Sequence, residues 1–356
     1  MKTNQDKYPY VSIIIPCHNE EIFIQRCLNS VLAQDYPSDC LEILVVDGLS
    51  EDNTRTIVQE MIHQRKTVAS SQSPETSTLL PRLILLDNPH RIVPTALNIG
   101  LQNAQGDVIF RLDGHSEMAS NYVRTCVSKL VEFPEVTCIG GPSIAVGTGV
   151  IGTAYALALQ SAFGVGGKTF RTLRTARMVD TLAFGGYRRE IFTHLGGFDT
   201  TLQRNQDIHF NAALRKAGYK QLLIPETHTR YHAPRTLKGI LLQNYRNGYW
   251  NTKVLDKMLG VLSWRHFIPF IFIFALLFSF LSMFISRLGS YLFLTLCGTY
   301  SIASLAASIS CLTRSTCNSG LLLPLLFPLI HISYGWGSLV GIFGFCWARL
   351  LKFWRG

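Results

Sequence analysis

An aspartate and a histidine two residues apart close the segment Asp107-Val108-Ile109-Phe110-Arg111-Leu112-Asp113-Gly114-His115. A carboxylate and an imidazole at that spacing can both ligate one divalent cation, and a cation there can hold a diphosphate. Val108, Ile109, Phe110 and Leu112 make the approach apolar, so the segment reads as a short buried strand ending at Asp113. The mouth of a parallel sheet, beyond the carboxyl ends of its strands, is where α/β folds bind ligands. Alone, the segment also fits a strand closed by an Asp-Gly turn. The surrounding elements decide between these readings.

Val11–Ile15 is a β-branched run closed by Pro16 and predicts a buried first strand. Cys17-His18-Asn19-Glu20 follows as a loop, and residues 21–34 have helical spacing, with Ile24, Leu28, Val31 and Leu32 on one face. Leu41–Val46 predicts a second strand ending at Asp47, and Ser50 is placed to cap a helix over 51–65. Residues 66–81, rich in Ser, Thr and Pro, read as a surface insertion. A strand over Leu83–Leu86, a helix over 93–104, the Asp113 strand and a helix over 119–132 complete a β-α-β-α-β-α-β order. That order predicts a doubly wound, mostly parallel sheet. Residues 140–167 hold eight glycines and no charge, and are expected to be loop and helix near a membrane surface rather than a span. Ala183-Phe184-Gly185-Gly186-Tyr187 predicts a strand whose glycines admit a ligand close to the backbone. A helix is expected over 207–217, with Gly218 just past its end.

The formal charge of +10 is unevenly placed. No acidic residue follows Asp256, while seven cations do: Lys257, Arg265, Arg287, Arg314, Arg349, Lys352 and Arg355. Subtracting 7 from 10 leaves +3 on residues 1–256, so the basic character marks cations flanking apolar runs rather than a nucleic-acid-binding face. The nine cysteines form no C-x-x-C pair and sit mostly in apolar stretches, against a disulfide framework or zinc site and for a reducing compartment. Met1 to Tyr10 is polar and lacks a signal-peptide core, so the first domain is expected to stay in the cytoplasm.

From Phe267 the texture changes. Residues 267–285 give 19 uncharged positions, 288–312 give 25, and 315–348 give 34 without Asp, Glu, Lys or Arg. A span needs about 20 helical residues. The expected organisation is an α/β domain over 1–255 and a membrane region over 256–356, with hydrophobic segments at 267–285, 288–312 and 321–347. Three spans would put the basic tail outside, against the positive-inside tendency. A broken or re-entrant last segment, suggested by Pro324, Pro328 and four glycines, would return it to the cytoplasm.

These motifs together resemble one family. Ser12-Ile13-Ile14-Ile15-Pro16…Asn19-Glu20, Val45-Val46-Asp47-Gly48…Ser50…Asp52, Ala96-Leu97-Asn98…Gly100, Gly106-Asp107-Val108-Ile109…Leu112-Asp113, Gly196-Gly197-Phe198-Asp199 and Asp207 stand in the order found in family 2 glycosyltransferases, over about residues 8–255. Asn88-Pro89…Arg91…Pro94, Phe163-Gly164-Val165-Gly166-Gly167, Arg188-Arg189 and the apolar tail are similar to the ExoA-type enzymes of succinoglycan and related exopolysaccharide synthesis.

The resemblance implies a GT-A fold, a divalent cation (Mn²⁺ or Mg²⁺) and roles for particular residues. Asp113 and His115 take the place of the metal-binding D-x-D motif, with His232 a further candidate ligand. Imidazole suits Mn²⁺ better than Mg²⁺. Pro16 and Glu20 would lie at the nucleoside, and Asp47 would hydrogen-bond its base. Gly48 stands where many members have a second aspartate. Arg91 faces either the diphosphate or solvent. Asp207 takes the place of the general base, in Asn205-Gln206-Asp207 where the family usually has Glu before the Asp, and Asp199 is the rival. Residues 235–258 read as a basic, aromatic interfacial helix. Its Gln243 and Arg246 match the Q-x-x-R-W motif of processive members, but Asn247 replaces the Trp.

The implied activity is a membrane-anchored inverting glycosyltransferase, multi-pass in the inner cell membrane with its catalytic domain in the cytoplasm. Its implied partners are a nucleotide-sugar donor (a UDP-sugar), a polyprenyl-diphosphate-linked glycan acceptor, membrane lipid and other polysaccharide-assembly proteins, with no nucleic acid. A processive synthase is the alternative within the class. A transporter subunit with a nucleotide-binding domain would need ionisable residues in its spans, where only His331 qualifies. A nucleotidyltransferase would share the fold but not the Gly-Gly-Phe-Asp…Asp207 layout.

Overall fold

The computed structural model describes residues 8–71, 80–167, 169–257, 266–315 and 317–355. The first strand, β1 (Val11–Cys17), is buried at every position, as a strand covered on both faces must be. It pairs in parallel with β2 (Leu41–Asp47), which is equally buried. Pro16 is tolerated there for a specific reason. The carbonyl of Ile14 faces β4, so the proline nitrogen two residues on faces the same side, where the pairing has already ended at Ile14↔Arg111.

Between them α1 (Ile24–Leu32) buries Ile24, Cys27, Leu28 and Val31, the 3–4 spacing of a core-facing stripe. The chain continues through α2 (Thr54–Ser71), β3 (Arg82–Asp87), α3 (Val93–Asn103), β4 (Val108–Arg111), β5 (Ser116–Met118), α4 (Tyr122–Glu132), β6 (Val136–Gly140) and β7 (Ser143–Val146). The middle of the expected insertion, 72–79, lies outside the described residues. The expected cap at Ser50 is not one: α2 begins at Thr54, and Asp52 accepts from the Thr54 amide and hydroxyl instead. After α5 (Gly149–Leu159), α6 (Ala162–Val165) and β8 (Arg177–Met178) come β9 (Gly186–Arg188), α7 (Glu190–Leu195), α8 (Gln206–Lys216), β10 (Lys220–Leu223) and β11 (Thr229–His232). Gly218 takes φ +82° just beyond α8, the left-handed turn expected of a glycine there.

The large sheet runs β3-β2-β1-β4-β9-β6-β10-β8. Its first four strands are parallel, as the alternating elements predict. β9 then enters antiparallel between β4 and β6, and β8 pairs antiparallel with β10, so the second half is mixed. A Cβ on Gly186 would stand 2.5 Å from the Phe110 ring, and one on Gly185 would stand 2.6 Å from Cys138 Sγ. On their Cβ side the room these glycines provide is filled by the core. The Arg188 and Arg189 guanidiniums donate to carbonyls of Leu130, Val136, Ala104 and Gly106, holding this late strand in place.

The chain forms two compact units: residues 1–144 with 173–231, and residues 145–172 with 232–356. Sequence placed a division after 255, whereas 145–172 and 232–255 group with the C-terminal helices. The second unit holds α5, α6, α9 (Leu237–Lys257), α10 (Ile268–Ser282), α11 (Arg287–Leu312) and α12 (Leu323–Arg355). α9 and α12 approach to backbone contact. A Cβ on Gly248 would meet the Tyr334 carbonyl at 2.0 Å, and one on Gly337 the Tyr245 carbonyl at 2.0 Å, a small-residue seam of the kind that packs helices without large apolar side chains. Among the described residues two helical stretches are long and apolar enough to cross a membrane, Arg287–Leu312 and Asn318–Trp347. The first apolar segment forms only 15 residues of helix, about 22 Å at 1.5 Å per residue, short of a bilayer core. His331 Nδ1 lies 2.8 Å from the Tyr300 hydroxyl, a local pairing within the helices.

Candidate active site

The carboxyl ends of β1 to β4 form one mouth. The four non-glycine residues with positive φ among the described ones are Asn19, Leu49, Arg91 and Asn205. Three follow β1, β2 and β3, and the fourth precedes α8. Such conformations persist only where neighbours enforce them, and they gather at functional sites. Here the Asn19 amide donates to Ser50 Oγ and the Glu51 amide donates to Asn19 Oδ1, so the loops after β1 and β2 brace each other.

Asp47 ends β2 with no exposed side-chain surface. Its Oδ1 accepts from Ser50 Oγ at 2.5 Å and its Oδ2 from the Ser50 amide at 3.0 Å and Arg55 Nη1 at 2.7 Å. Arg55 also pairs with Asp87 at 2.8 Å. Those hydrogen bonds to two carboxylates raise the Arg55 pKa further, against the opposing effect of burial. Asp47 is therefore saturated by its own chain. Arg91 pairs with Glu51 at 2.9 Å, both well exposed, which is the solvated of its two expected settings.

β4 delivers the second cluster. Strand alternation sends Phe110 and Leu112 into the core, each fully buried, and places Arg111 and Asp113 together on the other face. Arg111 Nη2 donates to Asp113 Oδ1 at 3.1 Å, while Nη1 stands 4.0 Å from Asp207 Oδ2. Arg111 is itself buried. Burial opposes its charge, but the Asp113 and Asp207 carboxylates outweigh that and keep it firmly protonated. Its Nε–H is buried with no partner among the described residues, an unmet donor that costs about 1–3 kcal/mol. No sequence motif marks Arg111. The available signal was a cation inside an apolar strand, on the face of Asp113.

Asp207 is the second residue of α8, after Asn205 at φ +59°, with Phe210 and Leu214 buried beneath it. Its carboxylate is about one-third exposed, in the first turn of the helix. Asp199, the rival base, accepts from the Thr201 amide and hydroxyl within its own turn. That turn is fixed by Asn98, which accepts from the Phe198 amide and donates to the Phe198 carbonyl, both at 2.8 Å. Gly197 is required beside it: a Cβ there would stand 2.3 Å from Asn98 Oδ1.

The Ser116 amide donates to the Asp113 carbonyl, so Asp113-Gly114-His115-Ser116 is indeed a turn, and it carries the histidine. His115 Nδ1 lies 2.7 Å from Glu20 Oε1, and its ring meets Tyr231 edge-on. Burial lowers the His115 pKa, but the hydrogen bond and charge of Glu20, with Asp113, raise it overall. When Nδ1 carries the proton shared with Glu20, the lone pair stands on Nε2, the arrangement in which a carboxylate orients a ligating imidazole. Among the described residues no three His, Cys, Asp or Glu side chains gather as a complete metal cage. Asp113 and His115 fit a cation that takes its other ligands from a diphosphate. Pro16 and Glu20 stand at the same mouth, in the first unit. His232, Gln243 and Arg246 belong to the second: His232 is buried at the end of β11, and Arg246 is exposed on α9.

Comparison with known proteins bears on what this mouth is. The chain is 27% identical over 333 residues to a Methanococcus voltae protein, dolichyl N-acetyl-alpha-D-glucosaminyl phosphate 3-beta-D-2,3-diacetamido-2,3-dideoxy-beta-D-glucuronosyltransferase, covering 92% of this chain and 95% of that one. It is 26% identical over 264 residues to the succinoglycan biosynthesis protein ExoA of Rhizobium meliloti (strain 1021), covering 72% and 73%. Its fold matches a mannosyltransferase from Pyrobaculum calidifontis, solved in complex with GDP-Man and Mn²⁺, with TM-score 0.57, 19% identity, and coverage of 94% and 87%. The pattern of glycosyl transferase family 2 matches residues 12–196, and that of glycosyl transferase family group 2 matches 108–348. The chain has the GT-A fold and belongs to glycosyl transferase family 2, as a hexosyltransferase.

Proposed function

We propose that the protein is a membrane-anchored inverting glycosyltransferase that moves one sugar from a nucleotide donor, a UDP-sugar, to a polyprenyl-diphosphate-linked glycan in cell-surface polysaccharide synthesis. The observation that carries this is the pair of carboxylates, Asp113 and Asp207, set on either side of one buried guanidinium at the mouth of β4. Two carboxylates in unlike settings suit two roles. Asp113 is tied by a hydrogen bond and stands beside His115, where both would hold the cation. Asp207 is more exposed and lacks a hydrogen bond from Arg111, so it retains a lone pair for a proton. In the transfer, the acceptor hydroxyl gives its proton to Asp207 as its oxygen attacks the anomeric carbon, and the nucleoside diphosphate leaves from the opposite face. A divalent ion, when bound, neutralises the departing diphosphate as a Lewis acid. Glu20 orients His115, and Pro16 with the loop after β1 lines the nucleoside side.

The names of the relatives support a lipid-linked acceptor: one names a dolichyl phosphate sugar and the other succinoglycan biosynthesis. The helices Arg287–Leu312 and Asn318–Trp347 support an anchor in residues 256–356, with residues 1–255 carrying the cytoplasmic chemistry. Gln243 and Arg246 on α9 are proposed as substrate-binding residues, and His232 as a further cation ligand or phosphate contact.

The test is a thermal-shift panel of UDP- and GDP-sugars with and without Mn²⁺ on the full chain, followed by transfer of the stabilising donor to a polyprenyl-diphosphate glycan. One donor is expected to raise the melting temperature only with the cation, and EDTA to abolish transfer. Transfer undiminished in EDTA would overturn the cation site. Release of the full chain from membranes by alkaline carbonate would overturn the anchor.

A further inference from the structure

The guanidinium of Arg111 does something that neither carboxylate accounts for. It is buried, reaches two acidic groups from different elements, and treats them unequally: 3.1 Å to Asp113, a hydrogen bond, and 4.0 Å to Asp207, a charge contact without one. Asp113 lies at the end of β4, whereas Asp207 lies 94 positions later on α8. The two lie on different elements, and Arg111 reaches both. A buried arginine ordinarily has its N–H groups hydrogen-bonded. This one leaves the Asp207 contact long and the Nε–H unmet.

We infer that Arg111 is the positioning residue of the transfer, a fixed two-armed spacer that holds the donor-side carboxylate Asp113 in register with the base Asp207. The assignment rests on Asp207 being the base. The planar fork is what the task needs: one arm anchors to Asp113, and the other offers charge to Asp207 without occupying a lone pair. A lysine supplies the same charge from a single point and cannot span both. Asp113 faces the diphosphate and Asp207 the acceptor, so the spacer fixes the line along which the acceptor oxygen approaches the anomeric carbon. An error of about 1 Å in such a register costs about 10²-fold in rate.

The experiment uses the full chain in detergent. The variants are Arg111→Lys, Asp207→Asn and the double variant. Binding is read with UDP and GDP plus Mn²⁺, and turnover as nucleoside diphosphate released from the stabilising donor. Arg111→Lys is expected to keep its melting transition and its nucleoside-diphosphate affinity within about threefold while kcat falls about 10–100-fold. On the Asp207→Asn background the same change is expected to cost less than about threefold more, because its effect passes through the base. Turnover of Arg111→Lys near wild type, or an equal loss in both backgrounds, overturns the inference. Wild-type turnover in Asp207→Asn overturns the base assignment instead, a separate result. If Arg111→Lys does not fold, Asp207→Glu reads the same register from the more exposed side. It is expected to keep nucleoside-diphosphate affinity and lose at least about tenfold in kcat, and unchanged kcat overturns the spacer.

Discussion

The mouth of β2 and the mouth of β4 are built alike and finished differently. Each sets an arginine between two aspartates: Arg55 between Asp47 and Asp87, Arg111 between Asp113 and Asp207. Around Arg55 both contacts are short, at 2.7 and 2.8 Å, and Ser50 fills what remains of Asp47. Around Arg111 one contact is 3.1 Å, the other 4.0 Å, and a buried N–H is left over. A closed clasp gives rigidity, because every charge is met by a hydrogen bond. An open one keeps a carboxylate available, and only an available carboxylate can accept a proton.

The contrast breaks most sharply at Asp207. Asp207→Asn keeps the size and removes the charge, so turnover is expected to fall about 10²–10⁴-fold with donor and cation affinity retained. Turnover and titration of UDP with Mn²⁺ read the two quantities separately. Asp113→Asn comes next. It should weaken cation and donor binding together as well as turnover, since its proposed role is to hold the cation and, through it, the diphosphate. Isothermal titration with Mn²⁺ and UDP decides, and unaltered affinity would move the cation elsewhere. In the closed clasp the same substitution should act on the fold. Asp47→Asn leaves Arg55 and the Ser50 amide short of an acceptor, a destabilisation of about 1–3 kcal/mol, read by denaturant unfolding.

The His115–Glu20 pair gives a pH signature in the absence of cation. His115 titrates above its ordinary 6.5 because Glu20 and Asp113 outweigh burial. A raised histidine contributes stability that is fully present below its unfolded pKa and is lost as pH rises through the folded one. Melting in EDTA should therefore drop as pH climbs through that window, and Glu20→Gln should flatten the profile. The smallest effect is expected at Arg91→Ala. Its pair with Glu51 is open to water and worth about 0–1 kcal/mol, so both melting and turnover should stay near wild type.

The parts of the molecule legible in the sequence are those where local pattern and global fold agree. The apolar runs at Val11–Ile15 and Leu41–Val46 could be buried only in a covered parallel sheet, and they are. The strand leading to Asp113 was visible for the same reason, although it ends two residues earlier, at Arg111. What escaped depends on contacts between distant residues. β9 is three residues long, and its glycines answer to Phe110 and Cys138, so its antiparallel place between β4 and β6 has no local trace. Ser50 has the chemistry of a helix cap, but Asp47, three residues earlier, claims both its amide and its hydroxyl. Arg111 carries no local mark in the apolar run because its second partner lies on α8. The first apolar tail segment has the composition of a span but ends its helix at Ser282.

The late arrival of β9 also bears on how the chain is made. Gly186 lies 76 positions after Phe110, the residue it pairs with on β4. At ~5–20 residues per second the ribosome needs roughly 4–15 s to supply it. During that interval the β1–β4 sheet has an open edge along Val-Ile-Phe-Arg, an apolar edge of the kind that recruits other chains. Crowded synthesis or loss of chaperones should therefore show first as aggregation of nascent chains stalled between β4 and β9, while completed chains remain sound.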